Sequence, residues 1–214
     1  MRFKKWTLAL GVLLAAGLVG GCAMILPSML EQPYYTVIAR LGDAVEIRDY
    51  APRTYAESSV PADGPEPRRD AFRLLFNYIA GANAGENKID MTIPVATERP
   101  GAKIDMTAPV STSNEGSDYR MRFFLPSKFT EENAPAPTNP AVRIGTVPAR
   151  IEAAIRYTGS QSEEKNIVMR ARLLDALAES TWKPTGTPSA MFYNPPFSIP
   201  FLRRNEAIVA VEKK

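Results

Sequence analysis

Alternating apolar and polar positions dominate the chain and predict many short β-strands. Strict alternation over four to eight residues is typical of a strand with one buried face. The alternation predicts strands at residues 34–39, 44–48, 54–60, 119–125, 142–147, 150–157, 189–193 and 207–211. The first two flank a turn at residues 41–43, where Gly42 suits a tight reversal of the chain.

Two segments change from strand spacing to helical spacing. The first predicted helix ends before Gly81 and carries its apolar residues at Ala71, Phe72, Leu75, Phe76 and Ile79. The second spans residues 162–179, and its predicted buried stripe consists of Ile167, Ala171, Leu174 and Ala178. Strands, a helix and strands therefore occur twice in succession. This order predicts an α+β domain of two similar halves, with one antiparallel sheet and two packed helices.

An eight-residue repeat lies between the first helix and residue 119. Residues 88–95 read K-I-D-M-T-I-P-V, residues 103–110 read K-I-D-M-T-A-P-V, and residues 99–101 contain the Pro-Gly pair of a turn. The alternation predicts two related strands in equivalent places of the two halves, with Met91 and Met106 buried on the same side. Pro94 and Pro109 cannot donate to a ladder and should lie at an edge, a bulge or a strand end.

The N-terminal residues have the pattern of a secretory signal. Arg2, Lys4 and Lys5 precede an apolar run at residues 8–19, which is short for a membrane span. The run ends at V-G-G-C, which resembles a bacterial lipobox whose Cys22 becomes the lipidated first residue. An uncleaved signal anchor is the alternative. We expect a signal peptide at 1–21, a tether at 22–33 and one domain at 34–214, held in the bacterial cell envelope and facing the periplasm.

The basic net charge belongs to the predicted signal. Residues 1–21 contain three of the 26 basic residues and none of the 23 acidic ones, so the rest of the chain is formally neutral. A nucleic-acid partner would require a clustered basic excess. The membrane partner is therefore expected to be contacted through Cys22.

The chain contains no histidine. An imidazole general base, a Ser-His-Asp triad and a histidine metal site are excluded on that ground. Asp90 and Asp105 occupy the polar face of the repeat and are interpreted as solvated residues. These observations disfavour an enzyme.

Several short strings in a fixed order resemble the SOUL family of haem-binding proteins. They are the repeated M-T-x-P-V, then Y-I-A-G-A-N at 78–83, F-F-L-P at 123–126, P-A-P at 135–137, Y-N-P-P at 193–196 and R-R-N-E at 203–206. The resemblance covers about residues 34–211. It implies a barrel-like sheet related to the gyrase-inhibitor-like effector-binding fold, and a haem or other porphyrin ligand bound non-covalently.

The resemblance also implies a ligand groove along the first helix. Arg69 matches a family arginine proposed to pair with a propionate, although an ordinary solvated arginine is the alternative. Phe72 and Phe76 fall where mammalian haem-binding members carry methionines. Their ring faces could hold a porphyrin, and the alternative is that both rings belong to the core. A second propionate partner of the family, a lysine, is replaced by Ile199. The R-R-N-E string is expected to be structural, with its arginines pairing to acids or capping carbonyls.

Iron ligation is the weakest part of this resemblance. Without histidine, the weak candidates for an axial ligand are Met91, Met106, Tyr78 and Tyr193, and core packing is the default for methionine. We expect a lipid-anchored envelope protein that binds a tetrapyrrole without a strong protein ligand. The alternatives are an envelope interaction protein that keeps the fold without the ligand and, less favoured, a small-molecule hydrolase.

Overall fold

The computed structural model describes residues 30–85, 87–98, 118–194 and 198–214. The strands are β1 Tyr35–Leu41, β2 Val45–Tyr50, β3 Arg53–Pro61, β4 Val95–Glu98, β5 Asp118–Phe124, β6 Val142–Val147, β7 Arg150–Tyr157, β8 Trp182–Pro184, β9 Ser189–Phe192 and β10 Asn205–Lys213. Helix α1 is Pro67–Ile79, helix α2 is Glu163–Ala178, and a 3-10 turn occupies Pro200–Leu202. Within these residues, no helix has the length and apolar character needed to cross a membrane.

The strands form one curled antiparallel sheet, a half-barrel. Nine strands follow the order β1-β2-β7-β10-β9-β4-β5-β3-β6, and β8 pairs separately with β10. The α+β prediction, with a barrel-like sheet and two helices, is confirmed.

The two halves of the chain are visible in the strand order. Reading outward from the central pair, β9-β10-β7-β2 on one side corresponds to β4-β5-β3-β6 on the other. If the additional strands β1 and β8 are set aside, each half supplies two strands, a helix and two more strands. The first strand of each half pairs with the other half, since β2 pairs with β7 and β6 pairs with β3. The halves are therefore joined by an exchange of strands as well as by the β4–β9 contact.

Both helices pack on one face of this sheet. Leu75 of α1 and Leu173 of α2 are fully buried in two separate apolar clusters. Because side chains alternate along a strand, the residues between those cluster members point to the opposite face. There a third cluster includes Tyr50, Met191 and Tyr193, and Leu30 and Tyr35 of the N-terminal segment pack against it.

The predicted buried stripe of α2 is wrong by one residue. The buried side chains are Asn166, Met169, Leu173 and Leu177, whereas Ile167 is 43% exposed. Residues 167–178 contain enough apolar residues to give two stripes one residue apart. The spacing of these residues does not show which stripe is buried. The buried stripe is the one that packs against β7, β8 and β10.

The first copy of the repeat is not a strand until Val95, where β4 begins. The Ile89 N–H donates to the Ile79 carbonyl (2.9 Å) and the Ile93 N–H donates to the Glu31 carbonyl (3.1 Å). The Thr92 hydroxyl donates to the Phe124 carbonyl. These three groups therefore donate their hydrogen bonds to carbonyls at the end of α1, in the N-terminal segment and at the end of β5, and not to a neighbouring strand. Pro94 directly precedes β4, as expected of a proline at a strand end.

The repeat does not correspond to the two halves, contrary to the prediction. Both copies precede β5 in the chain, whereas the second half begins at β6. Met91 is half-buried. The second copy, with Met106, Asp105 and Pro109, lies outside the described residues, as do Cys22 and the predicted signal.

Candidate functional site

The outer face of α1 presents two aromatic rings to solvent. Phe72 is 37% exposed and Phe76 is 48% exposed, although both were counted in the predicted apolar stripe of this helix. Their ring centroids lie 6.0 Å apart with the planes inclined by 15°. Phe72 also contacts the buried Phe123 edge to face, at 5.4 Å. The two rings therefore form an apolar surface that is partly exposed to solvent and packs on the buried Phe123.

Arg69 lies one turn before Phe72 on the same stripe of the helix. Its side chain is 71% exposed and pairs with Glu66, which is 58% exposed. An ion pair between two exposed side chains contributes little to stability and exchanges readily for another partner. Arg69 is thus able to meet a carboxylate that lies across the phenylalanine rings, since its planar fork suits that group.

The two tyrosines considered for iron ligation are buried, and their hydroxyls donate hydrogen bonds within the protein. Tyr78 is buried, and its hydroxyl donates to the Pro135 carbonyl at 2.9 Å. Burial raises the pKa of Tyr78 to about 12. Tyr193 is also buried and donates to Glu206 Oε2 at 2.8 Å. Burial, together with the negative charge of Glu206, raises the pKa of Tyr193 well above its ordinary value. Neither hydroxyl is available as a tyrosinate ligand.

The exposed face of α1 fits the organic part of a tetrapyrrole better than its metal. Phe72 and Phe76 suit a flat apolar macrocycle and Arg69 suits a propionate, whereas Met91 packs against the core of the first half. Among the described residues, no group of three histidine, cysteine, aspartate or glutamate side chains is placed to hold a metal ion. Ile199, at the position of the family lysine, is 53% exposed.

A separate cleft of about 310 Å³ opens between the C-terminal half of α1 and residues 137–142. Leu74, Asn77 and Pro137 are among its lining residues, whereas Arg69, Phe72 and Phe76 are not. The cleft and the aromatic face therefore flank α1 on different sides, so variants of the two can be distinguished.

The face of the sheet away from the helices contains a buried charge network that sequence reasoning missed. Arg48 is 3% exposed and Glu206 fully buried, and they form two hydrogen bonds of 2.7 and 3.1 Å. Arg204 adds bonds of 3.0 and 2.8 Å to the same carboxylate. Burial by itself raises the pKa of Glu206, but the hydrogen bonds and charges of Arg48 and Arg204 outweigh it and hold that pKa below its ordinary range.

A second buried pair lies on the same face. Arg53 Nη2 donates to Glu152 Oε1 at 2.7 Å, and Arg150 donates to the same oxygen at 2.6 Å. The Arg53 guanidinium stacks on the Tyr50 ring at 4.1 Å. These contacts link β3 to β7 and to the end of β2. The pairing predicted for R-R-N-E is confirmed, since Arg204 pairs with Glu206 and Arg203 Nε donates to the Ser198 carbonyl at 2.9 Å.

Comparison with known proteins gives one family and several structures of similar fold. The family model described as SOUL heme-binding protein matches residues 30–210. No curated protein sequence matches the chain. The crystal structure of the EcmrR C-terminal domain is similar with a TM-score of 0.57 and 10% identity, covering 84% of this chain and 99% of that one.

A hydrolase from Listeria innocua has a similar structure as well. The TM-score is 0.53 and the identity 11%, over 79% of this chain and 92% of that one. At these identities the two similar structures show a shared fold and do not indicate a shared ligand, partner or reaction.

Proposed function

Because the chain belongs to the SOUL heme-binding protein family, we propose that it binds haem or another tetrapyrrole on the outer face of α1 while a lipid at Cys22 holds it in the cell envelope. The observation that carries the ligand site is the exposed, stacked pair of Phe72 and Phe76 one turn from the exposed Arg69. An iron porphyrin would bring its own redox-active metal. The chain supplies an apolar surface and a cation.

The affinity in this proposal rests on buried apolar area and one charge contact. With no histidine in the chain and with both candidate tyrosines buried and hydrogen-bonded, the iron gains no strong bond from these residues. The ligand is therefore recognised as a flat, carboxylate-bearing ring. An interaction protein that has kept the fold and lost the ligand is the alternative, and the Ile199 departure favours it.

We expect metal-free protoporphyrin to bind nearly as well as hemin. Titration of the chain from residue 22 onward, followed at the Soret band, measures both affinities. Arg69→Glu should weaken both ligands alike, by up to about tenfold, because it replaces an attraction at a propionate with a repulsion. Phe76→Ser should also weaken both, because it removes exposed ring surface.

Two control variants make this titration decisive. Arg172→Glu makes the same charge change at an exposed position of α2, and Asn77→Glu places a negative charge in the cleft on the other flank of α1. Both should leave the affinities unchanged. A loss of binding in Asn77→Glu alone would move the ligand into the cleft, and no saturable binding in the wild type would favour the interaction protein. Hemin binding far tighter than protoporphyrin would show that the protein ligates the iron.

The proposed anchor has its own test. Cys22 is the only cysteine of the chain and follows V-G-G. Cys22→Ser should release the protein from the membrane fraction or stall its processing, and the mature N-terminal peptide of the wild type should carry the mass of lipid. Unchanged fractionation together with an unmodified peptide would contradict lipid attachment.

A further inference from the structure

The connection between β9 and β10 presents an apolar tip to solvent. Ile199 is 53% exposed, Phe201 71% and Leu202 66%, and the last two lie in the 3-10 turn. Large apolar side chains grouped in one exposed segment mark a surface that contacts something apolar. We call Ile199, Phe201 and Leu202 the apolar tip.

The apolar tip is fixed to the domain by its backbone. The Gly159 N–H donates to the Pro200 carbonyl at 2.9 Å, and the Leu202 N–H donates to the Ile199 carbonyl at 3.0 Å. Arg203 Nε donates to the Ser198 carbonyl at 2.9 Å. The first bond joins the turn to the residues after β7, and the other two fix the backbone within residues 198–203.

The segment that follows Cys22 in the chain reaches the domain at Gln32, next to a residue that follows the apolar tip. Gln32 Oε1 accepts a hydrogen bond of 3.1 Å from Arg204, which is two residues after Leu202. Glu31 is held as well, since its carbonyl accepts from the Ile93 N–H at 3.1 Å. Cys22 is ten residues before Gln32 in the chain. Ten residues span at most about 35 Å, so an anchor at Cys22 keeps this side of the domain close to the membrane.

The residues beside the apolar tip suit a phospholipid surface. Arg204 is partly exposed two residues after Leu202 and pairs with Glu206, whereas Arg48 is buried and pairs with both Glu206 and Glu46. Tyr34, two residues after Gln32, is 76% exposed. Tyrosine rings and arginines are typical neighbours of apolar side chains that enter a membrane interface.

We propose that the apolar tip inserts into the surface of a lipid bilayer and forms a second membrane contact beside the anchor. The inference rests on the proposed anchoring at Cys22. A tethered domain samples the bilayer at a high effective concentration, so three apolar side chains suffice to hold it in one orientation. Each side chain that moves from water into the apolar region raises the partition into the membrane about tenfold or more.

A chemically imposed anchor tests the tip independently of acylation in cells. The single Cys22 thiol of the chain from residue 22 onward is coupled to a maleimide phospholipid in vesicles of phosphatidylcholine with a minority of phosphatidylglycerol. That chain keeps every described residue, and its one native tryptophan, Trp182, is buried. Phe201→Trp places a fluorophore in the tip, and Ile167→Trp places a matched one on the exposed side of α2. Brominated lipids should quench the tryptophan fluorescence of Phe201→Trp. The fraction of fluorescence quenched in Ile167→Trp should stay close to that of the wild type.

A partition measurement completes the test. Without coupling, Phe201→Ser should lower the weak binding of the chain to the same vesicles about tenfold, with an unchanged circular dichroism spectrum. Equal quenching of both tryptophan variants, or of neither, would overturn the proposal. So would a Phe201→Ser variant that partitions normally but loses protoporphyrin binding, since the tip would then belong to the ligand site. Failure of Cys22→Ser to alter fractionation would instead contradict lipidation and leave the vesicle result standing.

Discussion

Glu206→Gln should destabilise the domain by about 3–5 kcal/mol, because it removes the buried carboxylate shared by two arginines and leaves Arg48 only the partly exposed Glu46 as a counter-charge. Glu206 is fully buried and Arg48 is 3% exposed. The amide can keep some of the hydrogen bonds from Arg48, Arg204 and Tyr193, but it cannot offset the charges of two arginines. Urea unfolding followed by circular dichroism measures the loss.

The pH dependence of this effect has a definite sign. The pKa of Glu206 is lower in the folded chain than its ordinary value, so its contribution is present above the unfolded pKa of about 4.3. The contribution is lost as pH falls through the lower folded pKa. Wild type and Glu206→Gln should therefore differ most near neutral pH and converge in acid. Parallel curves over this range would show that the carboxylate charge is not what stabilises the network.

Glu212→Gln is the matched control. It lies on the same strand, β10, and pairs with Lys183, but both side chains are more than half exposed. Exposed pairs contribute between zero and about 1 kcal/mol, so this variant should unfold close to wild type. A comparable loss in both variants would assign the effect to the strand and not to burial.

Leu173→Ala should cost about 2–5 kcal/mol, because the leucine is fully buried between α2 and the sheet and its removal leaves a cavity. Its neighbour Leu174 is only half-buried, so Leu174→Ala should cost about 1 kcal/mol or less. Thermal unfolding of the two variants distinguishes the stripe predicted from the sequence from the one observed in the structure. Equal losses, or the larger loss at Leu174, would contradict the observed rotation of α2.

Most of the strands, the first helix and the fold class could be predicted from the sequence because each rests on local periodicity, whereas the three-residue β8 was not predicted. Alternation located β5, β6 and β7, and the spacing of Ala71, Leu75 and Ile79 located α1. The rotation of α2 could not be predicted, because its apolar residues lie on two adjacent stripes and only contact with the sheet chooses one.

The repeat misled for a related reason. Its alternating pattern is that of a strand, but the Ile89 N–H bonds to the carbonyl at the end of α1 and the Ile93 N–H to the distant Glu31 carbonyl, and neither partner is in a neighbouring strand. Local pattern carries no information about such partners. The same holds for the candidate site: the resemblance directed attention to Arg69, Phe72 and Phe76, but their exposure depends on how α1 sits on the sheet. The Arg48–Glu206 pair, 158 residues apart, had no local signal.

The exchange of first strands between the halves has a consequence for how the chain acquires its structure. Val45 of β2 pairs with Ile155 of β7, which is made 110 residues later. Closing so large a loop is entropically costly and slow, and folds dominated by distant pairings fold slowly. Neither half can complete its sheet while the other is absent. During synthesis β2 can pair with β1, but its other edge stays unpaired until β7 emerges, and an unpaired strand edge favours aggregation.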